Sequence, residues 1–337
     1  MNIRPAPSTG LGTRGTVHRL RHAAATRVRD AEPPSVAIGL INNMPDAALD
    51  ATVRQFRALL AAAAGDLVVR LTLYTLPEVP RTDFGRRQVS GYAPITDLWA
   101  RPLDGLIVTG AEPHAADLKD EPYWTSLTRV LEWAERHTHS TILSCLAAHA
   151  GILHLDGIVR RPLGDKRFGV FPCVRVGDHP LTAAAPPRLE MPHSRWNEIP
   201  EEALWACGYR VLTRSDDAGV DAFVKQRQSL FVCFQGHPEY DAVTLLLEYR
   251  RDIGRFLRGE RDTYPPMPSG YFDPETVEAL HALRARALGD RREAILAGFP
   301  TALAVGKVTN TWRATAEHLY RNWLAYLRTQ QAQRVAR

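Results

Sequence analysis

The chain has 337 residues, with 42 Lys plus Arg against 37 Asp plus Glu and a formal net charge of +5. At 45% hydrophobic and 23% charged residues it can build a buried core, and it lies outside the low-apolar, high-charge range of disordered chains. Its basic residues are mostly Arg scattered along the whole length, with Lys only at 119, 166, 225 and 307, which argues against a nucleic-acid-binding stripe.

Residues 1–34 are rich in Arg, Pro, Gly, Ser and Thr and lack the apolar block of a secretion signal, so they are read as a mobile tail. No apolar run approaches the roughly 18 residues of a membrane span, and the expectation is a cytoplasmic protein without a membrane anchor. From Val36 the texture changes. Val36-Ala-Ile-Gly-Leu-Ile41 has buried-strand length and is stopped by Asn42-Asn43-Met44-Pro45. Val53, Phe56, Leu59 and Leu60 then recur at helical spacing, and Leu67-Val-Val-Arg-Leu-Thr-Leu-Tyr74 resumes strand texture.

The same order repeats downstream. Gly105-Leu-Ile-Val-Thr-Gly110 is a strand ending in Gly, and residues 122 to 136 place Trp124, Leu127, Val130, Leu131 and Trp133 at helical spacing. Thr141-Ile-Leu-Ser144 is a further strand that runs straight into Cys145 and a small-residue helix, Leu146-Ala-Ala-His-Ala-Gly-Ile-Leu153. Strands alternating with helices predict an α/β fold, a mainly parallel sheet covered on both faces. Residues 156 to 236 hold short β-like pieces, such as Phe168-Gly-Val-Phe-Pro-Cys-Val-Arg175 and Ser229-Leu-Phe-Val-Cys-Phe-Gln235. Three helical stretches follow, at 242 to 258, 275 to 297 and 311 to 329. One domain is drawn over 35–330, with a C-terminal helical extension from 259 and a tail from 331.

The four cysteines, at 145, 173, 207 and 233, form no C-x-x-C pair, so neither a zinc cage nor a disulfide framework is suggested and a reducing compartment fits. His137 and His139 have no ligand companions, and no metal is predicted.

In an open parallel sheet, ligands bind at the carboxyl ends of strands. Three such ends carry reactive or small residues: Thr109-Gly110-Ala111, Ser144-Cys145-Leu146 and Gly236-His237-Pro238-Glu239. A cysteine at a strand-to-helix turn sits near the N–H groups of the helix start, which favour thiolate and lower its pKa below the usual value of about 8.5. Residues two apart in an extended segment point to one side, so Glu239 can orient His237 while the other ring nitrogen reaches a cysteine. An inert buried Cys and a surface His beside an acid are the competing readings.

Together with Ile107-Val-Thr-Gly-Ala111, Tyr123-Trp124, Leu131-Glu132-Trp133, Lys166 with Gly169-Val170, Pro192-His-Ser-Arg195, Gly236-His-Pro-Glu-Tyr-Asp-Ala242, Arg251-Asp252, Thr311-Trp-Arg313 and Asn322-Trp-Leu324, these residues resemble the homoserine O-succinyltransferase family. The likeness is collinear from about residue 36 to 330. It implies a flavodoxin-like, class I glutamine amidotransferase-like sandwich. It also implies ping-pong acyl transfer from succinyl-CoA or acetyl-CoA to the hydroxyl of homoserine, feeding methionine or a related sulfur pathway. By the same resemblance Cys145 is the nucleophile, His237 the base, Glu239 its orienter, and the backbone N–H groups near Ala111 and Leu146 the oxyanion hole. Lys166, Ser194 and Arg251 are substrate contacts, with Arg251 on the α-carboxylate, and His114 holds the position that sorts acyl donors. Relatives of this kind are often homodimers, and acyl-CoA is a co-substrate rather than a bound cofactor.

The chain departs from the family pattern where Leu146 replaces a Trp after the nucleophile, where Asp156 replaces a Tyr, and along 46 to 53. These changes alter the pocket lining and leave another hydroxy-amino acid, such as serine, open as the acceptor. Two other classes stand beside this reading: a glutaminase, which shares the Cys and His-Pro-Glu arrangement, and a non-catalytic binding protein. The G-x-C-x-G bracket usual in glutaminases is absent, since the flanking positions are Leu143 and Ala147. His149 is read as a core histidine.

Overall fold

The computed structural model describes residues 34–335; the tail expected over 1–34 lies outside them but for its last residue. In chain order come β1 (Ser35–Ile41), α1 (Leu49–Ala64), β2 (Val68–Tyr74), two short helices α2 (Asp83–Gln88) and α3 (Ile95–Leu98), β3 (Gly105–Val108), α4 (Trp124–His137), β4 (Ser140–Ser144) and α5 (Leu146–Asp156). Then follow β5 (Arg161–Arg175), β6 (Arg188–Glu198), α6 (Glu201–Ala206), β7 (Arg210–Ser215), β8 (Gly219–Gln226) and β9 (Leu230–Phe234). The chain closes with α7 (Thr244–Leu257), α8 (Pro274–Gly289), α9 (Thr301–Val305) and α10 (Arg313–Val335).

The strands form one sheet in the order β2-β1-β3-β4-β9-β8-β7-β5-β6. Its first five members are parallel, and a row of branched side chains crosses them in register: Leu40 beside Ile107, Ile107 beside Ile142, Ile142 beside Val232. These residues face one core with Phe56 and Leu59 of α1 and with Tyr320, Trp323 and Leu327 of α10. Their strand neighbours Leu106, Val108, Leu143 and Cys233 point the other way, onto Leu127, Val130 and Leu131 of α4 and Ala147 and Ala148 of α5. Strands covered on both faces need apolar residues at every position, which is why they read as unbroken apolar runs. The α/β sandwich with helices on both faces is therefore the one the alternation predicts.

The β-like pieces between 156 and 236 extend the same sheet, joined through antiparallel pairs from β9 outward. A third core lies beside the sheet's carboxyl edge, where Tyr249, Ile253 and Phe256 of α7 meet Leu280 and Leu283 of α8, Phe299 and Trp312. Asp273 caps α8 by accepting the Glu275 and Thr276 N–H groups, with Pro274 at the first helical position. The helix drawn over 275 to 297 breaks after Gly289 and resumes as a tight turn over Glu293–Gly298. The last helix runs to Val335, beyond the boundary set at 330. Among the described residues no helix is long and apolar enough to cross a membrane.

Candidate active site

Strand β4 ends at Ser144 and the chain turns into α5 through Cys145, whose φ of 51° and ψ of −111° lie where L-residues are rarely found. The turn is pinned from both sides: the Cys145 N–H donates to the Phe234 carbonyl at 2.7 Å, and the Cys145 carbonyl accepts from Ala148 at 2.9 Å. The sulfur thus stands at the start of α5, where the first N–H groups of a helix have no partner within it. Close packing holds this geometry. A Cβ on Gly151 would stand 2.4 Å from Leu143 Cδ1, and one on Gly110 would stand 2.9 Å from Leu146 Cβ and 3.1 Å from Leu146 N. The turn after β3 therefore lies directly on the backbone that follows the cysteine.

The third strand end supplies an imidazole. His237 donates its N–H to the Pro192 carbonyl at 2.8 Å, which fixes the corner after β9. Its Nδ1 meets Glu239 Oε1 at 2.9 Å, and the same carboxylate oxygen accepts from Ser144 Oγ at 3.2 Å. The Cys145 sulfur and the ring line the same cleft. Burial opposes charge on His237, but the negative charge of the Cys145 sulfur, followed by that of Glu239, outweighs it and holds the imidazole well above the usual histidine pKa. Tyr240 stacks on the ring, centroids 4.2 Å apart and planes 17° off parallel. Its hydroxyl donates to Glu248 Oε1 at 2.6 Å, and its carbonyl accepts from Asn310 and Trp312, both at 3.0 Å, so the C-terminal segment braces the His237 corner.

One cleft of about 460 Å³ brings together Cys145, His237, Glu239, Ala111 and Leu146 with Lys166, Ser194 and Arg251. Helix α7 forms its far wall. Lys166 Nζ, itself buried, donates to Asp252 Oδ2 at 3.0 Å, lies 3.6 Å from Glu248 and sits over the Phe168 ring at 3.9 Å. Arg251 donates through Nε and Nη2 to Asp252 Oδ1 at 3.1 and 2.9 Å while about half its side chain stays open to the cleft. Burial raises the Asp252 pKa, and Lys166 and then Arg251 overcome this and leave it below the usual carboxylate value. Ser194 Oγ donates to Glu248.

His114 is not among the residues brought together. Glu121 Oε1 accepts the N–H groups of His114 and Ala115 at 2.6 and 2.7 Å, and this pins the loop so that His114 borders the neighbouring hollow beside Asp46, Arg81 and Tyr123. Glu112 faces the cleft in its place, with Oε1 3.2 Å from Arg255 Nη2. Tyr240, Glu248, Trp196, Arg255 and Arg261 also line the cleft. Arg255 follows Arg251 by one helical turn, a spacing visible in the sequence once α7 is known to face the site. His149 is a core histidine: buried, held by Gln235 at 3.1 Å and pushed down to a pKa of about 3 by burial. Asp156, where the family pattern has Tyr, pairs with Lys225 and accepts from Tyr209 at 2.6 Å, away from the cleft.

Behind His237 lies a second acid–imidazole pair. Asp221 and His193 are both fully buried, with Oδ1 and Nε2 facing each other at 3.4 Å. Asp221 accepts from Thr213 Oγ1 at 2.7 Å, and its carbonyl takes the Gln235 N–H at 2.8 Å. A Cβ on Gly236 would stand 2.6 Å from Asp221 Oδ1, so only glycine fits ahead of His237. Arg195 donates to His193 Nδ1 at 3.3 Å.

Known proteins similar in sequence to this chain fall into one family. The family described as "HTS: Homoserine O-succinyltransferase" matches residues 14–334. A homoserine O-succinyltransferase of Rhodopseudomonas palustris is 51% identical over 301 residues, covering 89% of this chain and 90% of the relative. One from Methylorubrum extorquens is 49% identical, covering 86% of each. Among solved structures, a glutamine amidotransferase from Methylobacillus flagellatus aligns at a TM-score of 0.49 and 20% identity over 87% of this chain and 95% of that one. One from Thermotoga maritima aligns at 0.46 and 12% over 87% and 98%.

Proposed function

The chain belongs to the homoserine O-succinyltransferase family and is an acyltransferase of that kind, and from this premise we propose that it carries a succinyl group from succinyl-CoA to the hydroxyl of L-homoserine on Cys145. The observation that supports this most directly is that Cys145 shares one cleft, walled by Lys166, Ser194 and Arg251, with a His237 ring that Glu239 holds at 2.9 Å.

In the first half-reaction the Cys145 thiolate attacks the thioester carbonyl. The N–H groups of Ala111 and Leu146, adjacent because Gly110 packs on Leu146, receive the oxyanion. Collapse expels the CoA thiolate, which takes the proton from His237. The sulfur is now an uncharged thioester. The neighbour that kept the ring protonated is gone, so the imidazole is neutral and ready to accept a proton.

In the second half-reaction the neutral ring takes the proton of the homoserine hydroxyl as that oxygen attacks the acyl carbon. Breakdown releases O-succinylhomoserine and returns the thiolate–imidazolium pair. Glu239, bonded to Nδ1, keeps Nε2 directed at the sulfur through both steps. Arg251 offers its fork to the α-carboxylate, and Lys166 and Ser194 bound the rest of the amino acid.

Intact-protein mass spectrometry after separate exposure to succinyl-CoA and acetyl-CoA tests the reading. The expected result is a succinyl mass increase that Cys145→Ala abolishes and that homoserine discharges. Absence of any adduct, with no CoA release on adding homoserine or serine, overturns it.

A further inference from the structure

Four Lys or Arg side chains line the cleft, and they differ in how firmly they are held. Lys166 is buried between Asp252 and Glu248, and Arg251 places two nitrogens on Asp252. Arg261 lies over the Trp196 ring and donates through Nε to the Thr263 carbonyl at 2.8 Å. Among the described residues Arg255 has a single ion pair, the one with Glu112, and both partners are open, with side chains 37% and 47% exposed. A pair so exposed to solvent is weak and readily exchanged for another carboxylate.

Its place in the site gives this exchange a use. Glu112 directly follows Ala111, and Arg255 rises from α7 one turn beyond Arg251, so the guanidinium stands beside the oxyanion turn. An acyl group on Cys145 with its oxygen at Ala111 and Leu146 has Glu112 as the next neighbour along that turn. A succinyl group differs from a butyryl group of equal length only in ending in a carboxylate, and a planar guanidinium is the side chain suited to it.

We propose that Arg255 is the acyl-donor specificity residue: it takes the terminal carboxylate of a dicarboxylic acyl group such as succinyl, and Glu112 occupies the guanidinium until that carboxylate displaces it. This rests on the acyl-transfer reading above. It gives α7 two adjacent readers, Arg251 for the amino acid and Arg255 for the acyl chain. It also accounts for an acidic residue beside a site that receives an anionic donor, since Glu112 is exposed enough to swing into solvent.

The test measures the rate of Cys145 acylation by intact mass with succinyl-CoA and with butyryl-CoA, in the full-length wild type, R255Q and E112Q. R255Q is expected to lower the succinyl-to-butyryl rate ratio about tenfold or more, the scale of a lost charge-assisted hydrogen bond, and E112Q to raise it. A ratio unchanged in R255Q overturns the assignment. So does an equal slowing with both donors, which would place the guanidinium on the CoA moiety they share. If R255Q does not fold, an unchanged ratio in E112Q is equally decisive against it. Failure of the folded wild type to acylate with either donor would instead remove the acyl-transfer reading, and this inference with it.

Discussion

His237 Nδ1 and Glu239 Oε1 stand 2.9 Å apart, with each side chain only 6% exposed, so the carboxylate determines which ring nitrogen is left for the sulfur. In Glu239→Gln the amide can present a donor to Nδ1 and favour the wrong tautomer. Acyl transfer should fall by about 10² to 10⁴ in kcat/KM, with the Cys145 adduct forming slowly rather than not at all. Glu239 also helps raise the pKa of His237, so losing its charge lets the ring lose its proton at lower pH. The alkaline limb of the acylation rate is therefore expected to move to lower pH, and a pH profile of acylation by stopped-flow or quenched mass spectrometry checks it. An unmoved limb would mean that Glu239 orients the ring without tuning it.

The strain at Cys145 predicts a separation of stability from activity. Cys145→Ala and Cys145→Gly both abolish acylation, but only glycine adopts φ near 51° with ψ near −111° without steric conflict. The glycine variant should be more stable than the alanine variant by about 1 kcal/mol or more. Urea denaturation of the pair measures this. Equal midpoints would show that the elbow is relaxed.

Gly110 predicts the reverse, a change that acts on rate more than on stability. A methyl there meets the Leu146 Cβ and N and must push the turn carrying Ala111 away from the cysteine. Gly110→Ala is expected to lower kcat about tenfold through a displaced oxyanion donor, and to destabilise by about 1 kcal/mol through overpacking. Steady-state kinetics beside thermal melts would reveal a purely structural effect as a loss in stability with kcat kept.

How much of this was legible in the sequence depended on whether the cause was local. The runs at 36–41 and 105–108 announce themselves because both faces of those strands are covered. The cysteine elbow is readable because a strand, a Cys and small helical residues must lie together for it to exist, and His237 with Glu239 is readable because two-residue spacing sets one side of an extended segment. His114 borders the neighbouring hollow because the register of its loop is set by Glu121, seven residues on, which captures two main-chain N–H groups that no spacing rule marks. Glu248 and Arg255 are invisible until α7 is seen to turn one face toward the cleft. Asp221 is hidden because its neighbours Thr213, His193 and Gly236 come from three separate segments.

Asp252 holds two cations at once, Lys166 at 3.0 Å and Arg251 at 2.9 Å, and Lys166 is buried. Asp252→Asn leaves the ammonium with Glu248 alone at 3.6 Å. Removing one partner of a buried pair destabilises by on the order of 3 kcal/mol, and the same change frees Arg251 from its anchor, so the KM for the amino acid should rise with it. Denaturation and acceptor kinetics on one preparation check both. A variant as stable as wild type would show that water already relieves the Lys166 charge.

Asp221 supplies a pH signature that the surface cannot mimic. Burial raises its carboxyl pKa from 3.8 to about 6, against the lowering effect of its hydrogen bond from Thr213 and of the charge on Arg195. The unfolded chain releases this proton near pH 4 and the folded chain near pH 6. Between those values the folded state binds more protons, and its stability falls as pH rises. Two pKa units correspond to roughly 3 kcal/mol across that window. Asp221→Asn cannot titrate, so the stability difference, wild type minus variant, should decline by up to that amount from pH 4 to pH 6 and then level off. Urea denaturation at half-unit pH steps measures the difference directly. Two curves that run parallel through the window would show that Asp221 is already ionised in the fold, held by His193 and Arg195 more strongly than its burial resists.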